Sequence, residues 1–350
     1  MNLLDLTRHS FATVFEQMNA PKWRADQVWG WIYRKSATSF DEMSNLPTPM
    51  RVELQMNYSI ACPALERVLT SSDGTEKFLL RLSDNQMVEM VLIPEGERCT
   101  LCVSSQVGCG GKCSFCHTGT QPFVRNLETH EIVAQVMLAR QRISDSGALN
   151  SKRTLTNIVM MGMGEPLHNY ENVANAIKIM MDSDGLAFSR RRITLSTSGV
   201  VPFIVRCGTE LGINLAVSLH APNDNIRSRI MPINNMYKVS ELIRACREYP
   251  NTNDARKITF EYVMLRNIND SEQQAKELVA LIQGISAKVN LIPWNPWPGA
   301  PFECSSNSQI ARFAQILAKA NVPVMTRTPR GQDISAACGQ LKGASSGVAQ

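Results

Sequence analysis

The spacing of hydrophobic residues changes along the first hundred residues of this 350-residue chain. Residues 1–50 place apolar side chains three and four positions apart, as in "FATVFEQM" and "ADQVWGWIYRK", which predicts short helices. From about residue 64 to 105 the period falls to two, which predicts short strands in "LERVLT", "EKFLLRL", "QMVEMVLI" and "CTLCVSS". The pairs Asp73-Gly74, Asp84-Asn85 and Glu95-Gly96 predict the turns between these strands.

From residue 99 onward, apolar strand patterns alternate with helical ones. The predicted strands are "LCVSS", "LTNIVMMG", "RITLSTSG", "INLAVSLHA", "ITFEYVML" and "KVNLIPWN". The predicted helices cover 127–143, 171–182, 201–210, 239–248, 271–283 and 307–320. Repeated βα units with nearly continuous apolar strands indicate an α/β fold with a parallel sheet covered on its faces. Six units are too few for an eightfold barrel and suit a partial (βα)6 barrel, with an open doubly wound sheet as the alternative.

Polar and glycine-rich motifs follow four of these strands: "GMGEP", "STSG", "SLHAPND" and "WNPWPG". In βα barrels the active site forms at the carboxyl ends of the strands. We therefore expect Glu165, Ser196, Ser218 and Asn295 to converge above the mouth of the barrel.

The formal net charge of +5 is unevenly distributed along the chain. Residues 1–98 carry a net charge of −3 and residues 99–350 carry +8, so a polyanionic partner should contact mainly the larger region. The run Arg190-Arg191-Arg192, together with Arg327 and Arg330, offers candidate phosphate contacts, although such runs are equally typical of solvated faces.

The chain has no apolar run of about 18 residues, and its first residues mix charged with apolar side chains. We expect a cytoplasmic protein without a membrane segment. Half of the ten cysteines fall between residues 99 and 116. In a reducing compartment such clustering favours metal or redox chemistry over disulfides.

Three of these cysteines, Cys109, Cys113 and Cys116, lie in "GCGGKCSFCHTG" with the spacing C-x3-C-x2-C. A structural zinc site is one interpretation, but zinc takes four ligands, and Cys99 and Cys102 should face opposite sides of a strand. An electron-transfer cluster also needs four thiolates. The third interpretation is a four-iron cluster that keeps one iron open for an exogenous ligand.

This loop and the predicted partial barrel resemble the radical S-adenosylmethionine (SAM) superfamily. The resemblance narrows to the RlmN family of dual-specificity RNA adenine-C2 methyltransferases and covers almost the whole chain. It rests on "CVSSQVGC", "MGMGEP", "STSGVVP", "SLHAPND", "MPIN", "KVNLIPWNPWPG" and "RGQDISAACGQL", which occur in the order typical of the family. The chain departs from the usual pattern at Gly110-Gly111, His117, Trp294 and Trp297.

The resemblance implies a function for each matching residue. The ligands of a 4Fe-4S cluster would be Cys109, Cys113 and Cys116. The contacts to SAM would come from Gly164, Glu165, Ser196, Ser218, Leu219, His220 and Asn295, with Glu165 binding the SAM amino group. Cys338 would carry the methyl group, Cys102 would resolve the resulting adduct, and Glu89 would accept a proton. Without the motifs, these last three residues would be typical of a core or of a solvent-facing strand, so the resemblance carries these assignments.

The resemblance also implies a domain organisation. Residues 1–50 would form a helical accessory domain that binds RNA, and residues 51–98 a linker with a β-hairpin extension. Residues 99–340 would form the radical SAM barrel with the loop of the methyl-carrying cysteine, and residues 341–350 a frayed tail.

The implied substrates are an adenine of 23S rRNA at the peptidyl transferase centre and the adenine at position 37 of tRNA. A flavodoxin-like reductant and a thiol reductant would supply electrons, and we expect a monomer. Two alternatives remain: a methyltransferase that modifies adenine C8, and a non-catalytic RNA-binding module stapled by zinc.

Overall fold

The amino-terminal region of the protein is helical, as its sequence pattern predicts. The computed structural model describes residues 1–147, 153–250, 252–253 and 256–343. Helices α1 (Arg8–Gln17), α2 (Lys22–Tyr33) and α3 (Thr48–Asn57) come first, and α3 crosses the predicted domain boundary at residue 50. Aromatic side chains fill their core, with the rings of Phe11 and Trp29 5.1 Å apart.

Four antiparallel strands follow: β1 (Ala64–Thr70), β2 (Glu76–Arg81), β3 (Met87–Glu95) and β4 (Arg98–Cys102). The predicted turns between them are confirmed, since Gly74, Asn85 and Gly96 all have positive φ angles. A separate two-stranded ribbon pairs β5 (Gln106–Val107) with β6 (Arg125–Asn126) and encloses the cysteine-rich segment.

The rest of the chain alternates strands with helices. The strands are β7 (Thr154–Met160), β8 (Ile193–Thr197), β9 (Asn214–Ser218), β10 (Ile258–Met264), β11 (Ala287–Pro293) and β12 (Val324–Thr326). The helices are α4 (Thr129–Gly147), α5 (Tyr170–Met181), α6 (Val201–Glu210), α7 (Asp224–Ile230), α8 (Val239–Arg247), α9 (Glu272–Ile282) and α10 (Asn307–Lys319). All six predicted strands and all six predicted helices are present, with ends that differ by a few residues.

One ten-stranded sheet unites the molecule, in the order β1-β2-β3-β4-β7-β8-β9-β10-β11-β12. Within this sheet, β4 and the strands from β7 to β12 run parallel to one another. Within the described residues β1 and β12 do not pair with each other, so the sheet stays open as a partial barrel. This confirms the partial barrel with a helical domain and a β-hairpin extension.

Two short elements, β12 and α7, were not expected from the sequence. Strand β12 has only three residues, and its Met325 is 62% exposed, so it carries no alternating apolar pattern. The predicted frayed tail is only partly described. Leu341 is buried, whereas residues 344–350 lie outside the described part of the chain.

The helical domain packs against the end of α5. The indole Nε1 of Trp29 donates a hydrogen bond to Asp182 at 3.0 Å, and Arg34 pairs with Asp184 at 2.6 Å. Both acidic residues lie in the loop that precedes β8, so the domain contacts the barrel at the amino ends of its strands. A second contact joins the amino-terminal region to the first turn of α4, where the His130 N–H donates to Asp5 at 2.8 Å.

Candidate active site

A cavity opens at the carboxyl ends of the parallel strands, as the polar motifs predicted. All of the predicted site residues line it except Glu89 and Leu219. The lining includes Cys102, Cys109, Cys113, Cys116, Gly164, Glu165, Ser196, Ser218, His220, Asn295 and Cys338. Cys338 therefore shares this cavity with Cys102 and the three clustered cysteines, from which it is distant in the sequence.

The three clustered cysteines project into this cavity from the loop between β5 and β6. The backbone N–H of Gly111 donates to the Cys109 sulfur at 3.4 Å. Zinc bound tetrahedrally by thiolates at 2.3 Å would hold the sulfurs about 3.8 Å apart. Among the described residues, only Asp5, Glu128 and His130 bring three possible ligand atoms within 4.8 Å of one another. The sulfurs of Cys109, Cys113 and Cys116 are therefore not all within 4.8 Å of one another. This spread fits a cluster in which each thiolate binds its own iron.

Burial makes these three thiols hard to ionise in the absence of metal. It raises the pKa of Cys109 to about 11, and it also raises the pKa of Cys113 and Cys116. The buried guanidinium of Arg227 opposes this shift at Cys113. Because metal ligation requires thiolates, cluster binding must release protons here.

Three of the residues that depart from the family pattern, Trp294, Trp297 and His117, make contacts at the cysteine-bearing loop between β5 and β6, here called the cluster loop. The indole N–H groups of Trp294 and Trp297 both donate to the carbonyl of Phe115, at 2.9 and 3.0 Å. His117 stacks on Trp297 with ring centroids 5.0 Å apart and an interplanar angle of 3°. The two tryptophans and His117 therefore fix the backbone on both sides of Cys116.

Glu165 lies just beyond β7, where its carboxylate is 4% exposed. The backbone N–H and the hydroxyl of Ser198 donate to its Oε2 at 2.6 and 2.7 Å, and the N–H of Leu167 donates to Oε1 at 3.0 Å. Gly164 has φ +99°, and a Cβ there would approach Gln106 to 2.5 Å, so only glycine fits. The carboxylate is thus held rigidly at the cavity wall, where it can accept from an ammonium group.

The end of β9 supplies a neutral histidine. The Val263 N–H donates to Nδ1 of His220 at 3.0 Å, and burial lowers the pKa of His220 to about 3. The ring therefore keeps its proton on Nε2, available as a donor. Leu219 lies outside the cavity lining, and its backbone N–H donates to Glu261 O at 3.1 Å.

Cys102 ends β4, and Cys338 is exposed on a loop that lines the same cavity. Burial raises the pKa of Cys102 to about 12, and the negative charge of Cys338 adds to that shift. The guanidinium of Arg327 acts in the other direction on both thiols. Arg327 therefore lies in the cavity lining with these cysteines, and its predicted contact with phosphate stays a prediction.

The segment 335–343, here called the carrier loop, is held by residues that follow the last cluster cysteine. The N–H of His117 donates to Gly339 O at 2.7 Å. The Thr118 hydroxyl donates to Leu341 O at 2.6 Å, and the Gln121 amide donates to Gly343 O at 2.9 Å. The Asn295 amide donates to the carbonyl of Cys338 itself, at 3.1 Å.

Glu89 anchors the far end of the carrier loop. Its Oε1 pairs with Lys77 at 3.1 Å, and its Oε2 accepts from the Lys342 N–H at 2.8 Å. Burial raises the pKa of Glu89, and the positive charge of Lys77 opposes the shift. The carboxylate lies outside the cavity lining, so its expected action as a proton acceptor stays a prediction.

Family models match both parts of the chain. The "Ribosomal RNA large subunit methyltransferase N-terminal domain" model matches residues 1–60, and the "Radical SAM superfamily" model matches residues 103–279. A crystal structure of a radical SAM methyltransferase from Sphaerobacter thermophilus is 46% identical. It covers 98% of this chain and 100% of its own, with a TM-score of 0.92.

Curated relatives extend over nearly the whole chain. The dual-specificity RNA methyltransferase RlmN of Rhodospirillum rubrum is 54% identical over 98% of this chain and 80% of its own length. The RlmN of Rhizorhabdus wittichii is 52% identical over 98% of this chain and 87% of its own. The chain belongs to the RlmN family. It is a radical SAM methyltransferase that uses a 4Fe-4S cluster and SAM, which excludes the zinc-stapled module.

Sequence reasoning missed three polar residues of this RlmN-family site. Ser198 holds Glu165, and fully buried Arg227 donates to the carbonyls of Ser198 and Ser218 at 2.5 and 3.0 Å. Glu261, in the middle of β10, reaches the cavity from an otherwise apolar strand. Arg227 has no motif of its own, and Glu261 is a single acidic residue in an apolar run, so only the assembled sheet identifies them.

The run Arg190-Arg191-Arg192 is not near this site. It precedes β8, at the end of the strand opposite to Ser196, and Arg192 donates to Asn157 at 3.3 Å. Any phosphate it contacts would lie far from the cavity. None of the helices in the described ranges has the length and apolar character needed to cross a bilayer.

Proposed function

We propose that this enzyme methylates C2 of adenine in large-subunit rRNA, at the peptidyl transferase centre, and in tRNA at position 37. The observation that carries the proposal is the shared cavity. Cys102 and Cys338 are 236 positions apart, yet both line the space that the three clustered cysteines face. A methyl carrier, its resolving thiol and a cluster site would have to meet in this way.

The target atom explains why two further cysteines are needed. Adenine C2 lies between two ring nitrogens, so it is electron-poor and cannot attack the methyl group of SAM as a nucleophile. Transfer must instead pass through a carrier that reaches the ring as a carbon radical. When bound, the cluster supplies the electron for the reductive cleavage of SAM that starts this radical step.

Residues at the strand ends would hold that cluster and SAM. Cys109, Cys113 and Cys116 would ligate the cluster. Glu165 would accept from the ammonium group of SAM, because its carboxylate already faces the cavity. The other contacts to SAM would come from Gly164, Ser196, Ser218, Leu219, His220 and Asn295, with Leu219 contributing its backbone.

Cys338 would accept a methyl group from one SAM on its sulfur. A second SAM, once reductively cleaved, would take one hydrogen atom from that methyl group, and the resulting carbon radical would add to adenine C2. The electron left on the ring when its proton leaves would return to the cluster. Glu89 would take the ring proton, directly or after movement of the carrier loop that it anchors. The thiolate of Cys102 would attack the Cys338 sulfur. The bond from sulfur to the transferred carbon breaks, the carbon takes up a proton to become the methyl group, and a Cys102–Cys338 disulfide remains.

The remaining partners follow from this chemistry. A flavodoxin-like protein would supply the single electron, and a thiol reductant would reopen the disulfide. Arg330, which lines the outer mouth beside Cys338, would contact RNA phosphate. We propose that the enzyme acts as a monomer in the cytoplasm, where both RNA substrates are used.

The test is mass analysis of rRNA and tRNA nucleosides from cells with and without this gene. Loss of 2-methyladenosine from both RNAs is expected in the cells that lack it. Loss from only one RNA would restrict the substrate range. Loss of 8-methyladenosine instead would identify the alternative C8 activity.

A further inference from the structure

The floor of the cavity carries a carboxylate that the proposed mechanism does not use. Glu261 is 4% exposed and lines the cavity. Its neighbour on β11, Asn290, donates from Nδ2 to Oε1 at 3.1 Å. Its other oxygen, Oε2, has no hydrogen-bond partner among the described residues. A buried carboxylate oxygen without a hydrogen-bond donor destabilises the folded protein unless a ligand or a water molecule supplies that donor.

The guanidinium of Arg327 lines the same cavity without bonding to this oxygen. The titratable groups that act on Arg327 are Cys338, Glu261 and Cys102. Burial raises the pKa of Glu261, and Arg327 is the first of the groups that oppose this shift. The cavity lining therefore contains both a carboxylate oxygen that can accept and a guanidinium that can donate.

We infer that Glu261 and Arg327 form a subsite for the hydrogen-bonding edge of an adenine ring. The exocyclic amine would donate to Glu261 Oε2, and a ring nitrogen would accept from Arg327. A ribose diol fits less well, because it usually takes both oxygens of a carboxylate, and Asn290 already occupies Oε1. Charged side chains commonly recognise bases through such paired contacts.

Two adenines enter this cavity if the proposed function holds, that of SAM and that of the RNA target, and the subsite rests on that function. Both adenines offer the same edge, so the structure assigns the chemistry and experiment assigns the source. Arg327 and Cys338 also line one smaller pocket together, which favours the RNA base, since the base must bond to the carbon carried by that cysteine.

The test replaces adenine with hypoxanthine, once in a SAM analogue and once in an RNA substrate. Hypoxanthine has a carbonyl in place of the amine and a protonated N1, so it reverses both contacts. One arm compares S-adenosylhomocysteine with S-inosylhomocysteine. The other compares a tRNA anticodon stem-loop carrying adenosine with one carrying inosine at the target position. Equilibrium binding to the cluster-containing full-length enzyme is measured in both arms, without turnover.

The decisive variant is Glu261→Gln. Asn290 would keep the glutamine carbonyl in the place of Oε1, so the glutamine NH2 would occupy the place of Oε2 and suit hypoxanthine instead. Wild-type enzyme should prefer adenine by roughly tenfold in at least one arm, and Glu261→Gln should remove or reverse that preference in the same arm. Arg327→Met should reduce it as well. Glu303→Gln, at an exposed ion pair with Arg266, is the matched control and should behave as wild type.

The inference is overturned if wild-type enzyme shows no preference in either arm, or if Glu261→Gln leaves the preference unchanged. Equal weakening of both ligands by Glu261→Gln would also overturn it, because that result indicates a sugar contact. Failure of the proposed RNA target looks different. In that case neither the adenosine nor the inosine stem-loop would bind specifically to the enzyme. The comparison of S-adenosylhomocysteine with S-inosylhomocysteine would then decide by itself whether the subsite exists.

Discussion

The cluster loop and the carrier loop face the same cavity but are built differently. The cluster loop brings three cysteines together within eight residues of sequence, and the β5–β6 ribbon closes its base. The carrier loop presents a single cysteine, and its bonds come from Asn295, from the residues after Cys116 and from Glu89. The position of the cluster loop is thus set by residues close to it in the sequence, whereas the position of the carrier loop is set by contacts with distant parts of the chain. Substitutions in the cluster loop should therefore abolish every step of the reaction, and substitutions in the carrier loop should block individual steps.

The largest effect is expected from the cluster loop. Replacing Cys113 with alanine should prevent cluster assembly, because each thiolate holds its own iron. Iron content and visible absorbance of anaerobically purified protein should fall to background, and no methylated RNA should form. Cys207→Ala, which changes a buried cysteine in α6, is the control and should keep about four irons. A Cys113→Ala protein with full iron content would contradict the ligand assignment.

The two cysteines of the methyl route should fail in different ways while keeping the cluster. Cys338→Ala should make no product, because the methyl acceptor is missing. Cys102→Ala should accept the methyl group and attack RNA, then stall with RNA attached to Cys338 through one carbon. Mass spectrometry of digested Cys102→Ala protein should detect that adduct. Turnover by Cys102→Ala, or an adduct on another cysteine, would refute the assignment.

The burial of Cys102 predicts a steep pH dependence of its reactivity. Its pKa is raised to about 12, so the thiol is protonated at neutral pH and the thiolate fraction grows tenfold per pH unit. Alkylation of Cys102 by iodoacetamide, followed on its peptide, should therefore accelerate about a hundredfold from pH 7 to 9. A rate that levels off near pH 8.5, as for an ordinary thiol, would show that the cavity does not shield Cys102.

A smaller effect should follow from loosening the carrier loop at Thr118, whose side chain also contacts the Cys116 thiol. Thr118→Val removes the hydroxyl that donates to Leu341 O and leaves a buried carbonyl unpaired, at a cost of about 1–3 kcal/mol. Hydrogen exchange should rise in residues 336–343, and methylation of Cys338 should slow by roughly tenfold with the iron content unchanged. Thr120→Val, which loses only an exposed bond to His117 O, is the control. Equal exchange in both variants would show that Thr118 does not hold the loop.

The sequence by itself determined the features that depend on neighbouring residues. The spacing of Cys109, Cys113 and Cys116 indicated the cluster, and the 2- and 3.6-residue periods predicted the strands and helices, because side-chain direction repeats locally along each element. The motifs at the strand ends placed Glu165 and Ser218 correctly, because parallel strands carry their carboxyl ends to one edge.

Only the tertiary structure decided the features that depend on contacts between distant segments. It placed Arg327 in the cavity lining, placed Arg190 at the opposite end of the sheet, and turned Glu89 toward Lys342. It also exposed the free oxygen of Glu261. No local pattern encodes these positions, because each is set by how separate strands and loops pack and satisfy their buried polar groups.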